Sequence, residues 1–293
     1  MWTRGGRGRT VAALGAVAVL ALPACSAEGG AEAPVESLLD KTSVTIGVKA
    51  DQPGVGIGGD GVYEGFDVDV ANYIVEELEL PNVEFVSITS NEREARLGGD
   101  PDLPPGTPVK DPVDMVVATY SVTPARSTLV TFAGPYYVAK QDILVRKDDP
   151  RVKGVADLAG LEICQGEGSN SADRVVTELG IDANVLDVPD SYTYSDCVQL
   201  LKEGEIDAVT TDDLILAGFL DEDPEAFQFV NSPFTEERYG VGLPHGDVAG
   251  CEAVNRAIDK MFQSGEAERS LVRWFGETDL DLVMSVPQFE GCG

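Results

Sequence analysis

The chain has 293 residues, 43% hydrophobic and 25% charged, which suits a globular protein long enough for two lobes. Its formal net charge of −30 argues against nucleic acid and anionic lipid headgroups as partners. The single histidine, His245, stands far from any cysteine or carboxylate cluster of ligand spacing, which argues against a histidine-based metal site or hydrolase; neither metal nor cofactor is expected.

The chain opens with Arg4, Arg7 and Arg9, followed by VAALGAVAVLALPA (11–24), an apolar run of 14 residues that is too short to span a bilayer as a stable helix. This is the pattern of a signal peptide over 1–24. It ends in LPAC, which resembles a bacterial lipoprotein cleavage box, with Pro23 a less usual occupant, and it makes Cys25 the lipidated residue. Cleavage there leaves 18 basic against 51 acidic residues, a net charge of −33, so a membrane link would run through the lipid. Residues 25–42 then read as the lipidated cysteine and a small, acidic tether. Cys164, Cys197, Cys251 and Cys292 remain, an even number that in an exported chain suggests two disulfides, with three connectivities formally possible.

From residue 43 strands and helices alternate. SVTIGVK (43–49) reads as a strand and DVDVANYIVEELEL (67–80) as a helix, with Val70, Ile74 and Leu78 on one face and Asp67 placed to cap it. VEFVSI (83–88) is a strand, NEREARL (91–97) a short helix and DMVVAT (114–119) a third strand, with a Pro/Gly-rich loop at 98–112. A second set follows: LEIC (161–164), SADRVVTELG (171–180), NVLDV (184–188), SDCVQLLKEG (195–204) and IDAVTT (206–211). YGVGLP (239–244) is a strand that could return to the first sheet, and helices at 251–265 and 267–276 close the chain. The implied fold is α/β, with two open, mostly parallel sheets and a hinged cleft beyond the carboxyl ends of the strands. GVGIGG (54–59) matches a dinucleotide fingerprint literally, but another turn follows it before any helix, so it reads as a flexible loop at the cleft edge.

TYSVTPARS (119–127) follows the third strand, where open α/β sheets bind ligands. A guanidinium there can grip a carboxylate through two parallel hydrogen bonds, although Arg126 could equally pair with one of many surface acids.

GFDVDVANYI (65–74), the segment 118–145, DLAGLEICQGEGSNSADRV (157–175), GEIDAVTTDDLIL (204–216) and RYGVGLPHGD (238–247) resemble, in this order, the polar amino-acid-binding proteins of ABC importers, solute-binding protein family 3. The likeness is greatest to glutamate-binding lipoproteins and covers about residues 43–275. It implies a two-lobed Venus-flytrap fold, with lobe 1 formed by 43–141 and 238–293 and lobe 2 by 142–237. It also implies that Thr119, Ser121, Thr123 and Arg126 hold the ligand's α-carboxylate, with Gly168 to Ser171 contributing from lobe 2 at a helix start. Within that turn, Ser169 and Ser171 fit the family pattern and Asn170 departs from it. Asp212 is implied as the ammonium partner, with Asp213 its less favoured neighbour. Arg93 and Lys49 are candidates for the ligand side chain, Asp51 and Gln52 for the entrance, and Tyr63, Tyr136, Tyr137 and Tyr239 for the cleft wall or the core. Family topology favours disulfides Cys164–Cys197 and Cys251–Cys292, each inside or beside one lobe.

The resulting expectation is a monomeric, lipid-anchored, non-enzymatic binding protein on the outer face of the cytoplasmic membrane. It would capture glutamate for the permease subunits of an ABC importer. Glutamine, asparagine or aspartate are the alternative ligands, and a dehydratase-like enzyme on the same fold is the more distant reading.

Overall fold

The computed structural model describes residues 35–100, 107–189 and 191–293. The signal-peptide and Cys25 readings, most of the tether and the centre of the 98–112 loop lie outside the described residues.

In chain order the first elements are β1 (Val44–Val48), β2 (Asp51–Gln52), β3 (Gly56–Gly59), β4 (Val62–Glu64), α1 (Phe66–Glu77), β5 (Val83–Ser87), α2 (Arg93–Arg96), β6 (Met115–Val117) and β7 (Val130–Ala139). The middle of the chain forms β8 (Gln141–Arg146), β9 (Glu162–Cys164), α3 (Ser171–Asp173), β10 (Asn184–Val185), α4 (Tyr194–Glu203), β11 (Ala208–Asp212), α5 (Asp213–Glu222) and β12 (Phe227–Phe229). It ends with β13 (Glu237–Pro244), α6 (Val248–Gln263) and α7 (Glu266–Phe275).

Two five-stranded sheets result, ordered β5-β1-β6-β13-β7 and β10-β9-β11-β8-β12. In the first only β13 runs against the others, and in the second only β8, so both sheets are mostly parallel. The chain passes from one sheet to the other at Lys140 and returns through residues 230–236. These two crossings are tied together: Phe234 N–H donates to Gln141 O at 3.0 Å, and Ser232 N–H to the Asp142 carboxylate at 3.0 Å. The architecture is the two-lobed, hinged α/β plan.

Local chemistry explains most elements and several departures. GVGIGG is not a loop: Gly56–Gly59 is the central strand of the β2-β3-β4 meander. That meander also starts α1, because the N–H groups of Phe66 and Asp67 donate to Gly54 O (2.9 Å) and Val55 O (3.0 Å). Gly65 is the N-cap at φ 133°, where a Cβ would stand 2.2 Å from Val55 O. The helix start therefore needs no side-chain cap, and Asp67 turns its carboxylate inward instead. Helix 171–180 is shorter than expected, continuing from α3 as a single π-turn over Arg174–Glu178. β10 keeps only two residues of the predicted 184–188 strand. α6 begins three residues early because the Asp247 carboxylate accepts from Gly250 N–H at 2.9 Å. Patterning alone did not mark β7, since Pro135 removes a donor and the pairing with β13 slips between Tyr239 and Val241.

Cys164–Cys197 and Cys251–Cys292 are the two disulfides, the first between β9 and α4, the second joining α6 to the tail after α7. That tail has no regular structure, yet Leu282, Val283 and Phe289 pack on the core and Glu290 N–H donates to Gly134 O at 2.7 Å. Replacing both Cys251 and Cys292 with alanine releases a loop with a sequence separation of 41. On the chain-entropy model this removes about 4 kcal/mol, so a thermal melt should show Tm lower by roughly 8–15 °C.

Candidate ligand-binding site

The cleft between the sheets gathers Ser90, Arg93, Thr119, Ser121 and Arg126 from the first sheet's side. Facing them are Ser169, Asn170, Tyr194, Thr211, Asp212 and Ile215. A roomier groove of about 420 Å³ lies between Leu220, Phe227 and Leu280. Its charged residues, Lys147, Asp221, Glu277 and Asp279, are all exposed, and it gathers none of the motif residues, so the chemistry belongs to the smaller cleft.

Arg126 opens a short 3-10 turn, with its N–H donating to Thr123 Oγ1 at 3.2 Å. Thr123 thus shapes the turn and does not line the cleft. The Arg126 guanidinium pairs through Nε with Glu94 (3.1 Å), donates from Nη1 to Ser121 O (3.0 Å) and reaches Gly168 O across the cleft from Nη2 (3.0 Å). Arg93 is 2% exposed and donates to Ser90 O, Ala118 O and Thr119 O on its own side, and from Nη2 to Gly168 O at 3.3 Å. Two guanidiniums therefore converge on one carbonyl. Both also lie over the Tyr120 ring, Arg93 at 4.5 Å and Arg126 at 5.2 Å from its centroid. Burial, then the neighbouring Arg126 charge, lowers the Arg93 pKa to about 10.

Lys49 is equally buried but stands behind Ser90, donating to its hydroxyl at 2.6 Å; burial lowers its pKa to about 8. Asp51 meets the opposite lobe through its backbone, its carbonyl accepting from Ser195 Oγ at 2.8 Å. Gln52 is fully buried and accepts from Thr119 Oγ1 at 3.1 Å, beneath the cleft and not at its entrance.

Asp212 ends β11 and opens α5, and its carboxylate accepts from the Tyr239 hydroxyl at 2.7 Å. Burial first, then the Glu237 charge, pushes its pKa up to about 8. Asp213 turns away, its Oδ1 accepting from Leu214 N–H at 2.8 Å. Ser169 and Ser171 bond to the Tyr194 hydroxyl at 2.7 and 2.8 Å, and Ser171 Oγ donates to Thr211 Oγ1 at 3.3 Å, making a hydroxyl cluster of which Ser169, Tyr194 and Thr211 line the cleft. The expected anion-binding helix start does not form in that way. The N–H groups of Ser169, Ser171 and Ala172 donate to Gly166 O, Ser169 Oγ and Gln165 Oε1. Asn170 reaches the cleft, and its side chain makes no cap hydrogen bond. Tyr136, Tyr137 and Tyr239 are core residues and Tyr63 packs at the core's edge, but Tyr239 also serves the site through Asp212.

Sequence reasoning missed Ser90, Tyr194, Thr211, Ile215 and the Glu94 partner of Arg126. Ser90 and Glu94 flank Arg93 and could have been found by proximity; the lobe-2 hydroxyls carried no local signal. The two sides meet closely: a Cβ on Gly168 would stand 2.4 Å from Asn91 backbone, and one on Gly218 would stand 1.8 Å from Pro53 O.

Comparison with known proteins bears on this geometry. The glutamate-binding protein GluB of Corynebacterium efficiens is 36% identical over 284 residues, covering 91% of each chain. The glutamine-binding protein GlnH of Bacillus subtilis is 30% identical over 282 residues, covering 92% of this chain and 97% of its own. Among solved structures, an ancestral arginine-binding protein bound to glutamine superposes with a TM-score of 0.69 at 27% identity, covering 81% of this chain and 99% of its own. The ancestral amino-acid-binding protein AncCDT-1, a precursor of cyclohexadienyl dehydratase, superposes with a TM-score of 0.67 at 26% identity, covering 82% and 100%. Residues 44–277 match the family model, and with both lobes built on the family's plan, the chain belongs to the bacterial extracellular solute-binding proteins, family 3.

Proposed function

We propose that this protein captures glutamate outside the cell and delivers it to an ABC importer. The observation that carries the reading is the convergence of two guanidiniums, Arg93 and Arg126, opposite one buried carboxylate, Asp212. Burying ions costs several kcal/mol each unless every charge is paired. Two cationic forks and one carboxylate complement a ligand with two carboxylates and one ammonium. Glu94 holds only Nε of Arg126, so Nη2 remains directed across the cleft toward Gly168 O. There an α-carboxylate would replace a neutral acceptor with a charged one. The side-chain carboxylate falls to Arg93, with Ser90 and Lys49 behind it. The identity to GluB supports this choice, and GlnH, at lower identity, supports glutamine as the alternative.

In this reading lobe 1 is 43–141 with 238–293 and lobe 2 is 142–237. Ligand touching both lobes favours the closed arrangement, which the importer's permease subunits would recognise. Cys25 carries the lipid that holds the monomer at the outer face of the cytoplasmic membrane. The role is binding and not turnover, because the charged groups of the cleft suit a zwitterion and leave no histidine in reach.

Calorimetric titration of the chain beginning after Cys25, with the common amino acids, tests the reading. One-to-one glutamate binding much tighter than glutamine supports it. A neutral amino acid binding best removes the diacid assignment while keeping Arg126 and Asp212. Arg93→Ala should lower the glutamate-over-glutamine ratio about 10- to 100-fold, the worth of a charge-assisted hydrogen bond. An unchanged ratio takes the side-chain role from Arg93.

A further inference from the structure

Asp67 is fully buried and does not itself line the cleft. Among the described residues it makes no ion pair, and each of its oxygens accepts one hydrogen bond. Oδ2 takes the Thr119 N–H and Oδ1 the Tyr136 hydroxyl, both at 2.7 Å. A carboxylate so placed is expensive to bury. What it holds is the one strained residue of the site. Thr119 lies at φ 45°, in the left-handed region, where a β-branched residue is a genuine outlier at a cost of about 1–3 kcal/mol.

That strain has a geometric product. Along an extended strand, successive side chains and carbonyls alternate in direction. The reversal at Thr119 turns two consecutive carbonyls, Ala118 O and Thr119 O, to the same nitrogen, Arg93 Nη1, at 3.0 and 3.2 Å. With Nη1 held there and Nε on Ser90 O, Nη2 is the nitrogen that faces the opposite lobe. Gln52 steadies the same residue by accepting from its hydroxyl.

We propose that Asp67 is a positioning residue for ligand capture: its carboxylate pins Thr119 in the left-handed turn and thereby fixes where the Arg93 guanidinium stands in the cleft. The inference rests on the cleft being the amino-acid site, not on glutamate being the ligand.

The test is a double-mutant cycle of Asp67→Ala and Thr119→Gly. It is read as Kd for whichever amino acid the parent binds best, with Tm recorded for each variant. Glycine adopts the left-handed turn without strain, so it removes the need for the pin. Asp67→Ala should weaken binding about tenfold, and adding Thr119→Gly should recover at least threefold of that loss. In the parent, Thr119→Gly should give no such gain. A purely structural Asp67 would lower Tm and give losses that add; additive losses, or a Kd within twofold of the parent for Asp67→Ala, overturn the proposal. Should Asp67→Ala not fold, Tyr136→Phe removes the other bond that orients the carboxylate. Its weaker loss should likewise be relieved by Thr119→Gly, and an unrelieved loss overturns the proposal. If the parent prefers an amino acid other than glutamate, the glutamate reading fails while the cycle still decides Asp67. If no amino acid binds, both fall.

Discussion

Arg126→Ala should abolish useful binding, with Kd for the preferred amino acid rising about 100- to 1,000-fold by calorimetry. The expectation follows from what the guanidinium does. It is held by Glu94 and Ser121 O on its own lobe and reaches Gly168 O on the other with Nη2. Truncating one partner of a buried, hydrogen-bonded charge pair costs about 2–5 kcal/mol, largely because the remaining charge is left unpaired. Here the loss is double: a ligand carboxylate would lack its fork and Glu94 would lack its cation. Arg126→Lys restores the charge without the planar fork and should recover only part of the affinity, staying at least about tenfold weaker than the parent. The fold should tolerate both changes, since Arg126 sits on a short turn whose neighbours Pro124, Ala125, Ser127 and Thr128 are exposed. A folded Arg126→Ala protein that binds within tenfold of the parent would remove Arg126 as the carboxylate clamp.

Asp212→Asn should act on function and stability in opposite directions. Among the described residues it deletes the only carboxylate lining the cleft, so affinity should fall about 100-fold or more. The ligand-free protein, however, should melt higher at pH 8.5, by roughly 2–6 °C, because a buried charge has been removed. The direction with pH follows from the pKa of Asp212, pushed up to about 8 by burial and by Glu237. A folded-state pKa above the unfolded value gives a stabilising contribution present at low pH and lost as pH rises through about 8. The parent's Tm should therefore decline between pH 6 and 9 through this group, and in Asp212→Asn that part of the decline should vanish. Asp67 and Asp213, each pushed up to about 6, lose their contribution at lower pH and persist in the variant. An incoming ammonium needs Asp212 ionised, so the parent should release a proton on binding and bind more tightly as pH rises from 6 to 8. Titrations in buffers of different ionisation enthalpy read that proton directly. A variant with unchanged affinity, or a parent with no proton release, would move the ammonium site elsewhere.

Such a gain in stability on losing function is the usual sign of a site that holds charges for a ligand. The neighbours of Asp212 fit that description. Tyr239 donates to it, and Glu237, beside it, is neutralised by Arg174 at 2.9 Å. The protein thus compensates Glu237 internally, while Asp212 has a hydroxyl partner and, among the described residues, no ion pair.

The sequence by itself determined the alternation of strands and helices, the export-type cysteine usage and the collinear motifs, which put Asp212 at the end of one strand and Arg126 in the segment that follows another. These are local matters: β-branched runs such as VTIGV extend, hydrophobic residues at spacing four make a helix face, and backbone direction carries a motif residue to a predictable end of its strand. Even there, Asp67 was misassigned as a cap, because the N–H groups of α1 are satisfied by carbonyls from the preceding meander. Only the tertiary structure decided which groups meet. Asp67 reaches the Thr119 N–H across a sequence separation of 52 residues, and Arg93 and Arg126 find one carbonyl, Gly168 O, on the other lobe. Lys49 stands behind Ser90, and Thr123 shapes a turn without entering the cleft. The physical reason is that hydrogen bonds and charge pairing act over a few ångströms between atoms brought together by packing, so residue type and spacing along the chain can nominate partners but cannot aim them.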